Sequence, residues 1–567
     1  MFAKLLAPQA AAAMAGALLV LVWGGCSSKR GATRDGQPSK PAFTLFALAE
    51  TRGQIGPCGC TTDPLGDLSR TAALVEQARR EGPVLVVDAG GLLYSQAKIT
   101  PELAAQEELK ADLLVKSYQE SLGVAAIGLG SNDLAQGPAR VRPGRQVANL
   151  AAEAGVALEE PKIVVLGTAK VGVFGVATPA SIEGLPLTDP VAAGQRAAGG
   201  LRAQGAELVV ALIQATSKAE AMSVAAAIGG LDLVVAGLGG AAPEPDRVEP
   251  SAEPLRGGGF LVIPANRGQV VSRVEVTLRE GGGLTDALGR AAAASRDAQL
   301  AQQLQSVEAD LVRFAADPSA DPAFVATKKQ EVTRLQEERA QLARAPLRVP
   351  AKGSYFTLEQ VKISKQLACH AQVQTDAEAY FRAAGEANVR FAQSVPAVPP
   401  PKGVATYVGT QACVECHDTA VEFWKKSRHA DAWQTLVERG QEYDLECISC
   451  HVTGWNKPGG ATLAKNEALR DVQCEVCHGP ASIHVAKEGD DEPRTLTGGP
   501  EPELCAKLCH TKEHSDTFSY DAYLRDIVGP GHGEERRKAL GDGPTGHELR
   551  AAGLERAGKT LGAGCKK

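Results

Sequence analysis

All ten histidines of this 567-residue chain lie at or beyond His370, and four of them close a cysteine motif. The motifs are CVECH from Cys413 to His417, CISCH from Cys447 to His451, CEVCH from Cys474 to His478, and CAKLCH from Cys505 to His510. In C-x-x-C-H two thioether bonds fix a porphyrin to the chain and the adjacent histidine supplies the proximal iron ligand, so order and spacing are both chemical requirements. A zinc ribbon or a disulfide framework needs no histidine directly after each second cysteine. Haem c is therefore the expected cofactor. Cys413, Cys416, Cys447, Cys450, Cys474, Cys477, Cys505 and Cys509 would attach it, and His417, His451, His478 and His510 would be the proximal ligands. CAKLCH carries one extra residue between its cysteines, and a fourth haem is still expected there. The motifs follow one another too closely for four separate protein cores. The porphyrins themselves must form the core of a mostly helical domain over residues 403–535, packed closely enough to pass electrons among themselves.

The sixth iron ligand follows by elimination. Beyond the N-terminal segment the one methionine is Met222, far upstream, so Met/His ligation is excluded locally and bis-histidine or open sites remain. The candidates are His429, His484, His514, His532 and His547. His514 stands four residues after His510, so on a helix it would share that residue's face and could not cap the same ring. His370, next to Cys369, is either an outside cap or a surface histidine.

The N-terminus reads as an export signal. Lys4 is followed by an uncharged stretch to Lys29 with an apolar core from Ala10 to Val22, too short for a spanning helix. Trp23-Gly24-Gly25-Cys26 resembles a lipoprotein cleavage box, which implies a signal over 1–25, lipidation of Cys26 and a lipid anchor to the membrane. The alternative is an ordinary cleaved signal; both readings place the chain in the periplasm or at the outer membrane. Residues 26–42 read as a polar tether. A formal charge of −6 offers no footprint for nucleic acid.

From Phe43 onward, short apolar runs alternate with Ala-rich helical stretches. VLVVDAG, VAAIGLG, KIVVLG, VGVFGVA, ELVVALI, LDLVVAGL and FLVIPA each read as a buried strand, giving an α/β sheet domain over 43–288. Leu300, Leu304, Val307, Leu311 and Phe314, then Val325, Val332, Leu335 and Leu342 after a Pro-containing break, predict an antiparallel helical hairpin over 289–346. The hairpin is either a spacer or a dimer contact. Residues 347–402 predict a helix from Asp376 to Ala392 and a proline-rich linker, and 536–567 a C-terminal tail.

The order of segments in the first part resembles the metallophosphoesterase domain of bacterial 5′-nucleotidases. Glu50-Thr51-Arg52, Asp88-Ala89-Gly90-Gly91, Gly130-Ser131-Asn132-Asp133, Gln214 and Gly237-Leu238-Gly239-Gly240 stand where that family's metal-binding stretches fall, yet the region holds no histidine. The resemblance implies a phosphoesterase-like sandwich whose hydrolytic chemistry, which needs metal-activated water, has been lost. Cys58 and Cys60, just past the first strand, either bind a soft metal beside Asp88, Asn132 or Gln214, form a strained disulfide, or stay free.

Residues 405–535 resemble the tetrahaem cytochrome c family of nitrifying bacteria, through YVGTQACVECH, the W-x-x-S-x-H-A segment around His429, and CEVCHGPASIH. The resemblance implies that His429 and His484 are distal ligands of neighbouring haems; His532 is a further candidate. The expected function is electron transfer with redox partner proteins. A reductase of a small nitrogen or sulfur compound at an open haem, and a phosphoesterase with unusual ligands, are the alternatives.

Overall fold

The apolar runs form parallel strands because both of their faces are covered by other layers. The structure, a computed structural model, describes residues 41–57, 59–315, 321–395, 399–491 and 495–558. The expected signal segment, most of the tether, Cys26 and Cys58 lie outside the described residues. In the first sheet β1 (Phe43–Leu48), β2 (Val84–Asp88) and β3 (Ala126–Ile127) run parallel. A second sheet takes β4 (Lys162–Leu166), β5 (Ala169–Ala177), β6 (Leu208–Gln214), β7 (Leu233–Gly237), β8 (Glu253–Pro254) and β9 (Phe260–Val262), in the order β4-β5-β6-β7-β9-β8. The chain then returns through β10 (Val270–Thr277), β11 (Thr285–Asp286) and β12 (Tyr355–Lys362) to complete the first sheet as β11-β12-β10-β1-β2-β3. All seven expected strands are present, and the α/β sandwich is the observed architecture.

The sheets meet face to face: Leu45, Val87, Val274 and Phe356 pack with Val173, Val210, Leu212 and Val235 in one buried cluster. Helices cover the outer faces. α1 (Leu68–Glu81) and α2 (Ala104–Glu120) lie on the first sheet, burying Val75, Leu114 and Tyr118 against Phe46 and Val86. α3 (Pro190–Ala203) and α4 (Lys218–Ile228) lie on the second, with Leu201 and Ile228 against Phe174 and Val209.

Between β11 and β12 the chain makes the expected hairpin of α5 (Gly289–Ala315) and α6 (Pro322–Arg344), joined at its base by a bridge between Leu288 and Leu347. Leu300, Leu304, Val307, Leu335 and Leu342 form its seam, flanked by Arg296–Glu338 at 2.9 Å and Arg339–Asp297 at 2.8 Å.

Residues 347–402 do more than link. β12 pairs with β10 along its length, and α7 (Ala371–Ser394) adds Val373 and Tyr380 to the outer layer of the first sheet, so the sheet domain closes only after the hairpin. His370 caps α7, its Nδ1 accepting from Val373 N–H at 3.4 Å while its own N–H donates to Ser69 Oγ at 2.9 Å. It is a structural residue of the sheet domain. Cys369 beside it is disulfide-bonded.

Beyond Tyr407 the chain becomes a string of short helices with one small apolar cluster among its described residues, around Trp433, Ile448, Val452 and Leu469. A polar brace organises the turn: buried Glu475 accepts from the N–H groups of Val408, Gly409 and Ala481. Residues 536–558 are part of this body. Helix Gly546–Arg556 packs on helix Tyr520–Ile527, with the His547 N–H donating to Asp526 at 2.7 Å and Arg550 reaching the Cys60 carbonyl at 3.1 Å.

Candidate functional site

The strand-end residues that resemble a metal site are committed to one another. Glu50 accepts from Gln214 Nε2 at 2.6 Å, Gly239 N–H at 2.9 Å and Arg52 Nε at 3.2 Å. Burial raises its pKa, against the opposing pull of Arg52. Gly91 comes so near that a Cβ there would stand 2.5 Å from Glu50 Oε2. Asp88 accepts from Gly90 N–H at 2.7 Å and Tyr118 OH at 2.8 Å, and burial pushes it up to about 7. Asp133 is wholly buried with Arg145 at 3.4 Å and takes the N–H groups of Gly91, Leu92, Leu93 and Gly130. Asn132 donates to the Tyr94 carbonyl at 3.2 Å. Hydrogen bonds and two guanidinium groups, those of Arg52 and Arg145, thus occupy the lone pairs that divalent cations would need. Among the described residues, no group of three or more His, Cys, Asp or Glu side chains could hold a metal ion. The donor set does not fit a dinuclear metal centre.

Cys60 is exposed and a free thiol, so the disulfide alternative is not realised at Cys60. A bridge across a single intervening residue would have been strained. Cys60 lies instead beside the haem motifs, within electrostatic reach of Cys447.

Around those motifs the histidines converge in pairs. The rings of His417 and His484 are 6.5 Å apart between centroids and 21° from parallel; those of His429 and His510 are 6.1 Å apart and inclined by 40°. Such a gap admits one metal ion about 2 Å from a nitrogen of each ring. His532 is within electrostatic reach of His478, and His514 of His451. His484 and His429 thus each lie beside the histidine of an attachment motif, His417 and His510 respectively. His514 was a candidate excluded only from the ring that His510 would hold. The helical spacing does not apply, because the chain after His510 runs through turns and not a helix. His547 lies on helix Gly546–Arg556 and is exposed.

Local structure also fixes which ring nitrogen is free. Nδ1 of His451 meets the Ala432 carbonyl at 2.5 Å, that of His478 the Thr497 carbonyl at 2.9 Å, that of His484 Asp491 at 2.8 Å, and that of His510 Ser515 Oγ at 3.1 Å. With Nδ1 held, Nε2 is the nitrogen left to bind iron, and an outer partner of this kind orients a ligating imidazole. Burial lowers the pKa of His429, His451 and His514, and drives His510 down to about 4 with a further push from His429. Neutral rings are the ligating form.

The attachment cysteines meet out of sequence order. Cys413 hydrogen-bonds Cys474, Cys450 hydrogen-bonds Cys509, and Cys505 lies within electrostatic reach of Cys477. The first motif thus abuts the third, the third the fourth, and the fourth the second.

The sheet domain docks where the second motif lies. Gln106 of α2 donates to Asp444 at 2.8 Å and accepts from Asn388 of α7 at 2.7 Å; Lys110 reaches Glu446 at 2.7 Å; and Thr62 Oγ1 donates to Asp516 at 2.6 Å. Burial pushes Asp444 up to about 6, with Glu446 adding to it and Lys110 opposing.

Residues 412–479 match the family model described as cytochrome c554 and c-prime. Cytochrome c-554 of Nitrosomonas europaea is 32% identical over 92 residues, a match covering 13% of this chain and 39% of that protein, so the chain spans well under half the relative's length. Among solved structures, the 5′-nucleotidase precursor of Thermus thermophilus is similar with a TM-score of 0.41 at 17% identity, covering 70% of this chain and 68% of that one. The sulfate thiohydrolase SoxB of the same organism gives 0.40 at 14% identity, covering 69% and 68%. The phosphoesterase YfkN of Bacillus subtilis gives 0.33 at 16%, covering 42% of this chain and 86% of that one. The C-terminal segment of this chain thus resembles cytochrome c-554, which implies covalently bound haem c; the N-terminal part is the α/β sandwich of two six-stranded sheets described above.

Proposed function

We propose that the chain is an exported multihaem cytochrome c that carries electrons along haems ordered as first, third, fourth and second motif, with the sheet domain as a non-hydrolytic docking module. The pairwise convergence of the histidines carries this reading. His417 and His510 lie beside His484 and His429, with ring centroids 6.5 and 6.1 Å apart, and His451 and His478 lie within electrostatic reach of His514 and His532. A reductase needs an open coordination position, and the ring pairs at His417 and His510 support the electron-carrier reading instead. When bound, haem c iron takes up and releases one electron at a time. The chain's own residues would anchor, ligate and orient it, and the small apolar cluster around Trp433 would exclude water on one side. Committed donors at Glu50, Asp88 and Asp133 support loss of hydrolysis. Redox partner proteins, a lipid anchor at Cys26 and a dimer through the hairpin belong to the same reading.

The test is an intact mass of the full chain, matured in an export system that attaches haem, together with a reductive titration. Four covalent haems and reversible uptake of four electrons are expected. Three haems, unchanged when Cys505 and Cys509 are both replaced by Ser, would remove the fourth motif. A chain binding zinc and no haem would overturn the whole reading.

A further inference from the structure

Helix Ser482–Ala486, which carries His484, ends in a tight reversal. Glu488 and Gly489 are both left-handed, at φ 50 and 89, and the Gly489 N–H closes the turn by donating to the His484 carbonyl at 3.0 Å. Without a Cβ, Gly489 takes up such a backbone at little cost. The chain doubles back, and Asp491 meets the histidine it has just left: its Oδ1 accepts from His484 Nδ1 at 2.8 Å. A carboxylate only accepts, so Nδ1 carries the ring proton and Nε2 keeps its lone pair. The second carboxylate oxygen accepts from the Thr495 N–H at 2.7 Å and from the Thr495 hydroxyl. With both oxygens engaged and its side chain 2% exposed, Asp491 is fixed behind the ring.

The Nδ1 atoms of His451, His478 and His510 meet neutral oxygens instead, the carbonyls of Ala432 and Thr497 and the hydroxyl of Ser515. A hydrogen bond to an ionised acceptor is roughly twice as strong as one between neutral groups. It draws the ring proton toward the carboxylate and makes the opposite nitrogen a better donor to a metal. Stronger donation, with a fixed negative charge behind it, favours ferric over ferrous iron. His484 is the imidazole beside His417 of the first motif, with ring centroids 6.5 Å apart.

Resting on the multihaem reading above, we propose that Asp491 is a positioning residue for His484, a ligand of the iron held by Cys413, Cys416 and His417, and that its carboxylate sets this haem at the lowest potential of the four. The first motif stands at one end of the haem order. A low potential there gives the row a direction, from the first motif toward the second.

Potentiometry of the full-length haem-loaded protein, read from its visible spectrum, tests this without an activity assay. D491N keeps the shape and an accepting oxygen but removes the charge. It should stay low-spin with unchanged haem mass, while the lowest of the four midpoints rises and the other three hold. D491E retains the charge and should stay nearer the parental value. Should D491N not accumulate, H484A answers the same question: one haem should turn high-spin, and the midpoint that departs from the parental set should be the lowest. Parental midpoints in D491N, equal shifts in D491N and D491E, a high-spin D491N, or loss of any midpoint but the lowest in H484A would overturn the assignment. A protein without covalent haem would sink the multihaem reading instead, a result visible in the mass alone.

Discussion

Lys110 Nζ stands 2.7 Å from Glu446 and 2.6 Å from Glu107, joining α2 of the sheet domain to the residue that precedes Cys447. Burial alone would lower the pKa of this ammonium, but Glu446, Glu107 and Asp444 outweigh it and raise the value. The Lys110 side chain is 3% exposed, Glu107 0% and Glu446 38%. Removing the cation would therefore strand a buried carboxylate. Lys110→Met should destabilise the protein by about 3 kcal/mol, whereas Glu446→Gln should cost less than about 1 kcal/mol because its carboxylate is partly in water. Urea denaturation followed by tryptophan fluorescence measures both, and equal losses would show that water reaches Lys110 and the domains are not joined there.

Asp88 makes stability pH-dependent in a direction that can be stated. Its folded value is raised from 3.8 to about 7, so the folded state holds the proton more tightly than the unfolded chain. Its contribution is fully present below about pH 4, declines as pH rises, and is constant again above about pH 7. A displacement of that size corresponds to up to roughly 4 kcal/mol. Asp88→Asn should flatten the fall in melting temperature between pH 5 and pH 8 relative to the parent. Parallel curves for the two proteins would mean that Asp88 is ionised throughout.

His429 and His484 should each complete a different low-spin iron. Replacement of either by Ala should turn roughly a quarter of the haem signal high-spin without loss of haem mass, because attachment uses other residues. If both variants keep the parental spectrum and neither gains carbon monoxide binding, the two imidazoles are not ligands.

The strand-end cluster should behave as structure and not as a metal site. Chelator treatment should leave the melting temperature of the full chain unchanged, and added manganese or zinc should elicit no nucleoside monophosphate hydrolysis above background. Turnover on the order of 10 per second, abolished by Glu50→Ala, would reverse this.

Six of the seven runs were legible because a strand covered on both faces is a continuous apolar run, as in Leu208–Gln214 where every residue is buried; Lys162–Leu166, expected to be buried, is instead a partly exposed edge strand. β10 and β12 were not, because their exposed faces carry Arg273, Glu275, Glu359 and Lys362, and an alternating run beside a long hairpin resembles linker. The haem motifs were readable because bond geometry fixes their spacing. The meeting of imidazoles was not: His429 comes to lie beside His510, and His417 beside His484, across chain separations that no local pattern encodes. His370 shows the converse, since an imidazole that looked available is consumed as a helix cap.

Two pairings set the order in which this molecule can be assembled. Cys60 waits for Arg550, and the first attachment motif waits for the third. A chain threaded outward from its N-terminus would expose the Cys60 turn and α2 long before their partners emerge, and such distant closures are slow and leave sticky surface uncovered. A stalled or truncated chain that lacks helix Gly546–Arg556 would leave the Cys60 turn bare and offer proteases a clear mark of incompleteness.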